Sequence, residues 1–294
     1  MKLISPFVGL LLALTGPASA QTMAAKPEVE TVTSTASKSV PEKQIHDFVR
    51  TYSHQASPVI GKLAQWSRRA PLCPKAVGLS PAFNVFVSDR IRSVAKTVGA
   101  PLQTKVTCNP NMVVFFTPHP QALLDTIRHG HPGLLGFHDI AQAESLARVT
   151  HPFQAWYATA TRNYYGTLMF DSGLTKYIAI PPTGALLDDG LNSEIMAVTV
   201  VVDSAKIIGL QLGAVADYIS MLALSQTKAF ETCQPLASIT NLMTPECAAS
   251  LKSNTLSQYD IAYLTALYRM KPDTIQVAQQ STVADEMKAI LNRH

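Results

Sequence analysis

The chain contains no G-x-S-x-G, no phosphate-binding glycine loop and no C-x-x-C pair. The first absence removes the usual nucleophile turn. The second removes a cradle of backbone N–H groups for a nucleotide, and the third removes a cysteine-built zinc site. Charge of either sign is also scarce, at 15% of residues with a formal net charge of +4. Basic residues are scattered, with no cluster beyond Arg68 and Arg69, so a surface for nucleic acid has little electrostatic support and no nucleic-acid partner is expected. Aromatic residues are a modest 7%.

What is present begins at the N-terminus. Lys2 precedes an apolar run from Phe7 to Leu14, and Ala18, Ser19 and Ala20 complete an A-x-A pattern. A run this short does not span a bilayer, and its flanks are those of an export signal cleaved after Ala20. Removing Lys2 with residues 1–20 lowers the formal charge from +4 to +3. No later apolar stretch is long enough to cross a membrane, so the expected product is periplasmic or secreted, with no transmembrane segment. Residues 21–40 are rich in Thr, Ser and Ala and have almost no large apolar side chains, which predicts a disordered leader. Residues 41–294 then form a single folded domain, with 47% apolar residues across the chain to fill its core.

Four cysteines, Cys73, Cys108, Cys233 and Cys247, make an even count in a chain bound for an oxidising compartment, which predicts disulfides. Four cysteines allow three connectivities. Proximity in sequence and flanking Pro or Asn favour Cys73 with Cys108 and Cys233 with Cys247.

Hydrophobic spacing predicts a first helix near Pro41 with Ile45, Phe48, Val49 and Tyr52 on one face. A second helix is capped by Ser80, starts at Pro81, carries a stripe from Phe83 and Phe86 to Val98, and ends at Gly99. Residues 106–118 read as a strand interrupted at Asn109 and Pro110, followed by a helix over PQALLDTIR. FQAWYATAT (153–161) and EIMAVTVVVD (194–203) read as strands, and helices are expected over 214–226, 256–269 and 282–291. The fold class is therefore α+β: one domain with a mixed sheet packed by helices and a mostly helical C-terminal third.

Three places carry candidate chemistry. In RHGHPGLLGFHD, His129, His131, His138 and Asp139 fall close together, a set that suits zinc, although Pro132 and the glycines describe a loop. LMFDSGLT (168–175) has the Asp-Ser-Gly of an aspartic-protease turn, but it occurs once, and that chemistry needs two carboxylates sharing a proton. The simpler reading is a turn between strands. Trp156 and Tyr157, with Trp66, Tyr164 and Tyr165, have the composition of a binding groove or of ordinary packing.

VDSAKIIG (202–209) resembles the H-E-x-x-H-x-x-G spacing of metzincin-like zinc proteases, and TLSQYDIAYLTALY (255–268) is similar to the helix that follows the active site in that family. The resemblance implies a related scaffold without the enzyme: Val202 cannot ligate, Lys206 puts a cation at a ligand position, and Asp203 has no metal-bound water to activate. Through WSRRAPLCPKAVGL, FNVFVSDRIRSVAKTVGAP and VADYISMLAL the chain also resembles uncharacterised exported proteins of Gram-negative bacteria. The expected function is thus non-catalytic, in binding or envelope assembly, with no cofactor and with an envelope component or extracellular ligand as partner. Two alternatives are a metallohydrolase with zinc at His129, His131 and His138, and a carbohydrate or peptide binder using a groove near Trp156.

Overall fold

A computed structural model describes residues 40–53, 61–105, 107–137, 140–171, 188–227 and 232–293. The expected signal, 1–20, and the expected leader, 21–40, lie outside the described residues except for residue 40. Helix α1 (Glu42–Tyr52) comes first, then β1 (Pro74–Val77), α2 (Pro81–Val98), β2 (Met112–Thr117), α3 (Pro120–Gly130) and α4 (Ile140–Leu146). Strands β3 (Phe153–Arg162), β4 (Leu168–Phe170) and β5 (Asn192–Asp203) follow, and α5 (Leu212–Leu224), α6 (Gln258–Arg269) and α7 (Gln276–Leu291) complete the chain. The sheet order is β1-β2-β5-β3-β4. β1, β2 and β5 run parallel, and β3 and β4 are antiparallel to their neighbours. This is the single α+β domain with a helical C-terminal third that the hydrophobic spacing predicts.

The strands in the middle of the sheet are apolar on both faces because both faces are covered. Met112, Val114 and Phe116 of β2 and Val198, Val200 and Val202 of β5 point into the larger core, shared with α1, α2, α5, α6 and α7. Val201 and Trp156 point the other way, into a smaller core with Leu124 and Ile127 of α3 and with Leu135 and Ala147.

Two features of the helices differ from the expected pattern. On α2 the stripe is buried from Val87 to Val98, but Phe83 and Phe86 at its start are 55% and 46% exposed. Ser80 makes no side-chain cap there. Asn84 ties the entry instead, its Oδ1 accepting from Leu79 N at 3.1 Å and its Nδ2 donating to Leu79 O at 2.9 Å. Helix α5 is buried on every side from Ala214 to Leu224 rather than on one face. Its polar groups are satisfied internally: Ser220 Oγ donates to Ala216 O at 2.7 Å, and Asp217 accepts from Arg90 Nε at 2.5 Å and Arg90 Nη2 at 3.0 Å.

Both disulfides are present in the favoured pairing, Cys73 with Cys108 and Cys233 with Cys247, with Cα atoms 6.1 Å and 5.4 Å apart. No described helix is long and apolar enough to cross a membrane.

Gly78, where β1 turns toward α2, has φ +98°, and a Cβ built on it would lie 2.0 Å from the carbonyl oxygen of Phe116. The clash is with backbone, so it cannot be relieved by a side-chain rotation. Gly78→Ala is expected to cost at least about 3 kcal/mol in urea unfolding, from positive φ and strand displacement together.

Candidate functional site

The hydrogen-bond pattern of β3 defines the most distinctive site. Asp203 N donates to Pro152 O at 2.8 Å, and the register pairs Gln154 with Val201 and Trp156 with Thr199. In an antiparallel ladder the backbone groups of alternate residues point to opposite neighbours. Residues 154, 156 and 158 therefore face β5, and the N–H and C=O of Phe153, Ala155 and Tyr157 face outward. On that outer side β4 pairs only with Ala160–Arg162, and Asp171 N reaches Thr159 O at 3.0 Å. Among the described residues nothing bonds the outward backbone groups of Phe153, Ala155 and Tyr157.

A cleft of about 280 Å³ lies along this edge. Its walls come from both faces of the sheet, with Phe153, Tyr218 and Leu222 on one side and Leu146 and Trp156 on the other. Such a lining arises where a sheet ends, since residues of opposite faces meet only around an edge. The rim is polar and ordered. Gln154 Oε1 accepts from Thr150 N at 2.8 Å, and Gln154 Nε2 donates to Arg148 O at 2.9 Å, which holds the 148–151 loop against the strand. His151 Nδ1 lies 2.8 Å from Thr150 Oγ1. Arg148 is exposed and lines the cleft with His151. Tyr157 does not line the cleft; its hydroxyl donates to Leu222 O at 2.8 Å, and burial pushes its pKa up to about 12, so it stays a neutral donor.

Trp156 does line the cleft, as the aromatic grouping in the sequence suggests. Its ring is only 5% exposed and its indole N–H donates to Leu146 O at 3.1 Å. Tyr164 and Tyr165 are exposed and stack edge-on against each other in the loop between β3 and β4, away from this lining.

The histidine cluster is placed differently. His129 sits in the last turn of α3 with Nδ1 2.6 Å from Asp125 O, and His131 follows the helix end; both are exposed. His138 and Asp139 lie outside the described residues. Among the described residues no three His, Cys, Asp or Glu side chains come together as a metal-holding group. Asp171 of the Asp-Ser-Gly turn accepts from Thr161 Oγ1 at 2.8 Å, and burial raises its pKa; Ser172 and Gly173 lie outside the described residues.

The stretch that resembles a zinc motif contains no helix. Val202 and Asp203 end β5, Val202 is fully buried, and residues 204–209 are turns. Asp203 Oδ1 accepts from Ala205 N at 3.0 Å, a local turn bond, and Lys206 is exposed. In the second stretch, Ser257 and Asp260 form a capping box at the start of α6.

Other buried ionisable groups are sealed by their partners. Lys62, with no exposed side-chain area, donates to Asp189 at 2.5 Å, and burial lowers its pKa. Tyr52 is hydrogen-bonded to Ser238 and Thr240 and sits beside Asp260 within the core.

The open edge was not visible as a pattern of side chains, because its functional groups are backbone. Pro152, immediately before the run, marks only the start of the strand, since by the same alternation its missing N–H lies on the β5 side. Comparison with protein-family models, curated proteins and solved structures finds no match to this chain.

Proposed function

We propose that this chain is an exported, non-catalytic protein, periplasmic or secreted, that binds an extended polypeptide segment along β3. The observation that supports this most is the row of outward backbone groups on Phe153, Ala155 and Tyr157 beside a cleft. Donors and acceptors at a two-residue spacing match another extended backbone, which adds as a further strand and sets a side chain into the adjoining pocket. Peptide fits better than carbohydrate, because the Trp156 ring is buried and offers no open face for a sugar. Arg148 and His151 at the rim favour an acidic side chain in the bound segment. Such capture suits a role in envelope assembly or in holding an extracellular polypeptide.

The test is a panel of decapeptides with alternating apolar and acidic residues, assayed by fluorescence of a Trp66→Phe variant that leaves Trp156 as the reporter, with amide hydrogen exchange alongside. Binding should slow exchange at Phe153, Ala155 and Tyr157. Ala155→Pro removes one outward N–H while leaving the bonds to β5, and should weaken binding by about tenfold or more, the worth of one or two hydrogen bonds. N-methylation of alternate peptide bonds in the ligand should do the same. Equal affinity for methylated and unmethylated peptides would show that the edge is not the site.

A further inference from the structure

At the other end of the sheet, where β5 begins, a second cleft of about 500 Å³ opens between residues 65–69, the C-terminal ends of α2 and α6, and residues 192–194. Its lining combines apolar surface from Pro101, Met270 and Pro272 with the guanidinium groups of Arg68 and Arg69. Both arginines are exposed, and neither has an ion-pair partner among the described residues. The one acidic residue lining the cleft, Glu194, is already neutralised: its carboxylate accepts from Arg162 Nε at 2.9 Å and Arg162 Nη2 at 3.1 Å.

Two helix ends point carbonyls toward this cleft, each equivalent to about half a negative charge at most. Internal bonds absorb part of that. Gln65 Nε2 donates to Leu267 O at 2.5 Å, Met270 N donates to Ala266 O at 3.0 Å, and Ala100 N donates to Ala95 O at 2.9 Å. Two full positive charges therefore outweigh the helix ends.

A second, independent feature lies at the base. Ser193, on the sheet face that packs against α6, is 3% exposed and lines the cleft, and its Oγ has no hydrogen-bond partner among the described residues. Buried polar atoms are nearly always paired, and leaving one unmade costs more than an average hydrogen bond contributes. A buried hydroxyl without a partner, lining the same cleft as two uncommitted guanidiniums, describes the two ends of one ligand site.

We propose that this cleft binds a small organic oxyanion that also carries a hydroxyl or amine. The anionic group sits on Arg68 and Arg69, the hydroxyl or amine reaches Ser193 Oγ, and the carbon body lies against Pro101, Met270 and Pro272. Paired guanidiniums hold carboxylate and phosphate alike. The reading is independent of peptide binding at β3, which lies at the far end of that strand.

Isothermal titration of the full chain with glycerate, glycerol phosphate and inorganic phosphate tests it. One of the two hydroxylated anions should bind saturably and about tenfold more tightly than inorganic phosphate, and whichever is preferred identifies the source as carboxylate or phosphate ester. Arg68→Gln with Arg69→Gln should weaken that binding by about tenfold or more without moving the unliganded melting temperature, since neither side chain holds the fold together. Ser193→Ala should remove the advantage over inorganic phosphate. The proposal is overturned by any of three results: no saturable binding of the three anions, binding indifferent to the arginine substitutions, or inorganic phosphate binding as tightly as the hydroxylated anions.

Discussion

Asp260→Ala is expected to lower the unfolding free energy by about 3–5 kcal/mol, because it strips the shared acceptor from a buried cluster of hydrogen-bond donors. Asp260 is fully buried. Its Oδ1 accepts from Ser238 Oγ at 2.7 Å, and its Oδ2 accepts from Ile239 N at 2.9 Å and Ser257 N at 2.8 Å. Alanine leaves the N–H groups of Ile239 and Ser257 without partners, each worth about 1–3 kcal/mol, and takes one of several bonds from the Ser238 hydroxyl. Relief from burying the carboxyl group offsets part of that sum. It also removes half of the capping box, so fraying of α6 from residue 258 should accompany the loss in amide exchange. A cost below about 1 kcal/mol in urea unfolding would mean that this cluster does not hold α6 to the segment around residue 239.

The same residue sets a pH dependence whose sign is opposite to that of a surface carboxylate. Burial raises the pKa of Asp260 above the ordinary aspartate value, with the bond from Ser238 and the N–H groups of Ile239 and Ser257 working against that rise. The folded state thus holds the proton more tightly than the unfolded state. Its contribution to stability is fully present below the unfolded pKa and is lost as pH rises through the folded pKa. The stability advantage of the native chain over Asp260→Asn should therefore narrow as pH rises from about 3 toward 7. A gap that widens over this range would contradict the assigned direction.

The second large effect belongs to the disulfide between Cys73 and Cys108. It closes a loop with a sequence separation of 35 that contains β1 and α2, joining the chain just before β1 to the segment leading into β2. Loop-closure entropy for that length corresponds to about 3–4 kcal/mol, so replacing both cysteines by alanine should lower stability by that order in urea unfolding under non-reducing conditions. The shorter bridge, Cys233 to Cys247 with a separation of 14, should cost about 3 kcal/mol on the same basis. Peptide mapping without reductant should recover these two pairs; a peptide linking Cys73 to Cys233 would overturn the assignment. Two such bridges fit a chain that folds in an oxidising compartment.

Most of the local architecture was legible in the linear pattern. Ile45, Phe48, Val49 and Tyr52 fall on one face of α1 because their spacing matches the helical period, and all four are buried. The αL conformation at Gly99 ends α2 where a glycine follows the last apolar position. The β-branched and aromatic run over 112–117 marks β2 as a strand, although which of its faces meets the larger core is not written in it. These signals work because each depends on residues within a few positions of one another.

The sites were not legible in the same way. The histidine and Asp-Ser-Gly groupings drew notice as side-chain patterns, whereas the two clefts depend on contacts between distant segments. Arg68 and Arg69 appear in sequence as a minor basic pair; their setting requires Asn192 and Ser193, more than a hundred positions away, and the end of α6. The exposure of Phe83 and Phe86 has a related cause, since helical spacing identifies an apolar stripe without stating how far the sheet beneath it extends. Likewise α5 is apolar on one face by period but buried on all, because α2, α6 and β5 surround it.

The sequence by itself determined the class of the fold, most of the longer helices and strands and the lack of standard nucleophile and nucleotide motifs, and it favoured the cysteine pairing that the structure contains, since composition and short-range periodicity govern these; β1 and α4 it did not reveal. Only the tertiary structure decided that β3 lies between β5 and a β4 too short to cover it. Strand order and strand ends arise from pairing between segments far apart in the chain, and the groups left open there are backbone atoms, which every residue carries and no side-chain pattern reveals.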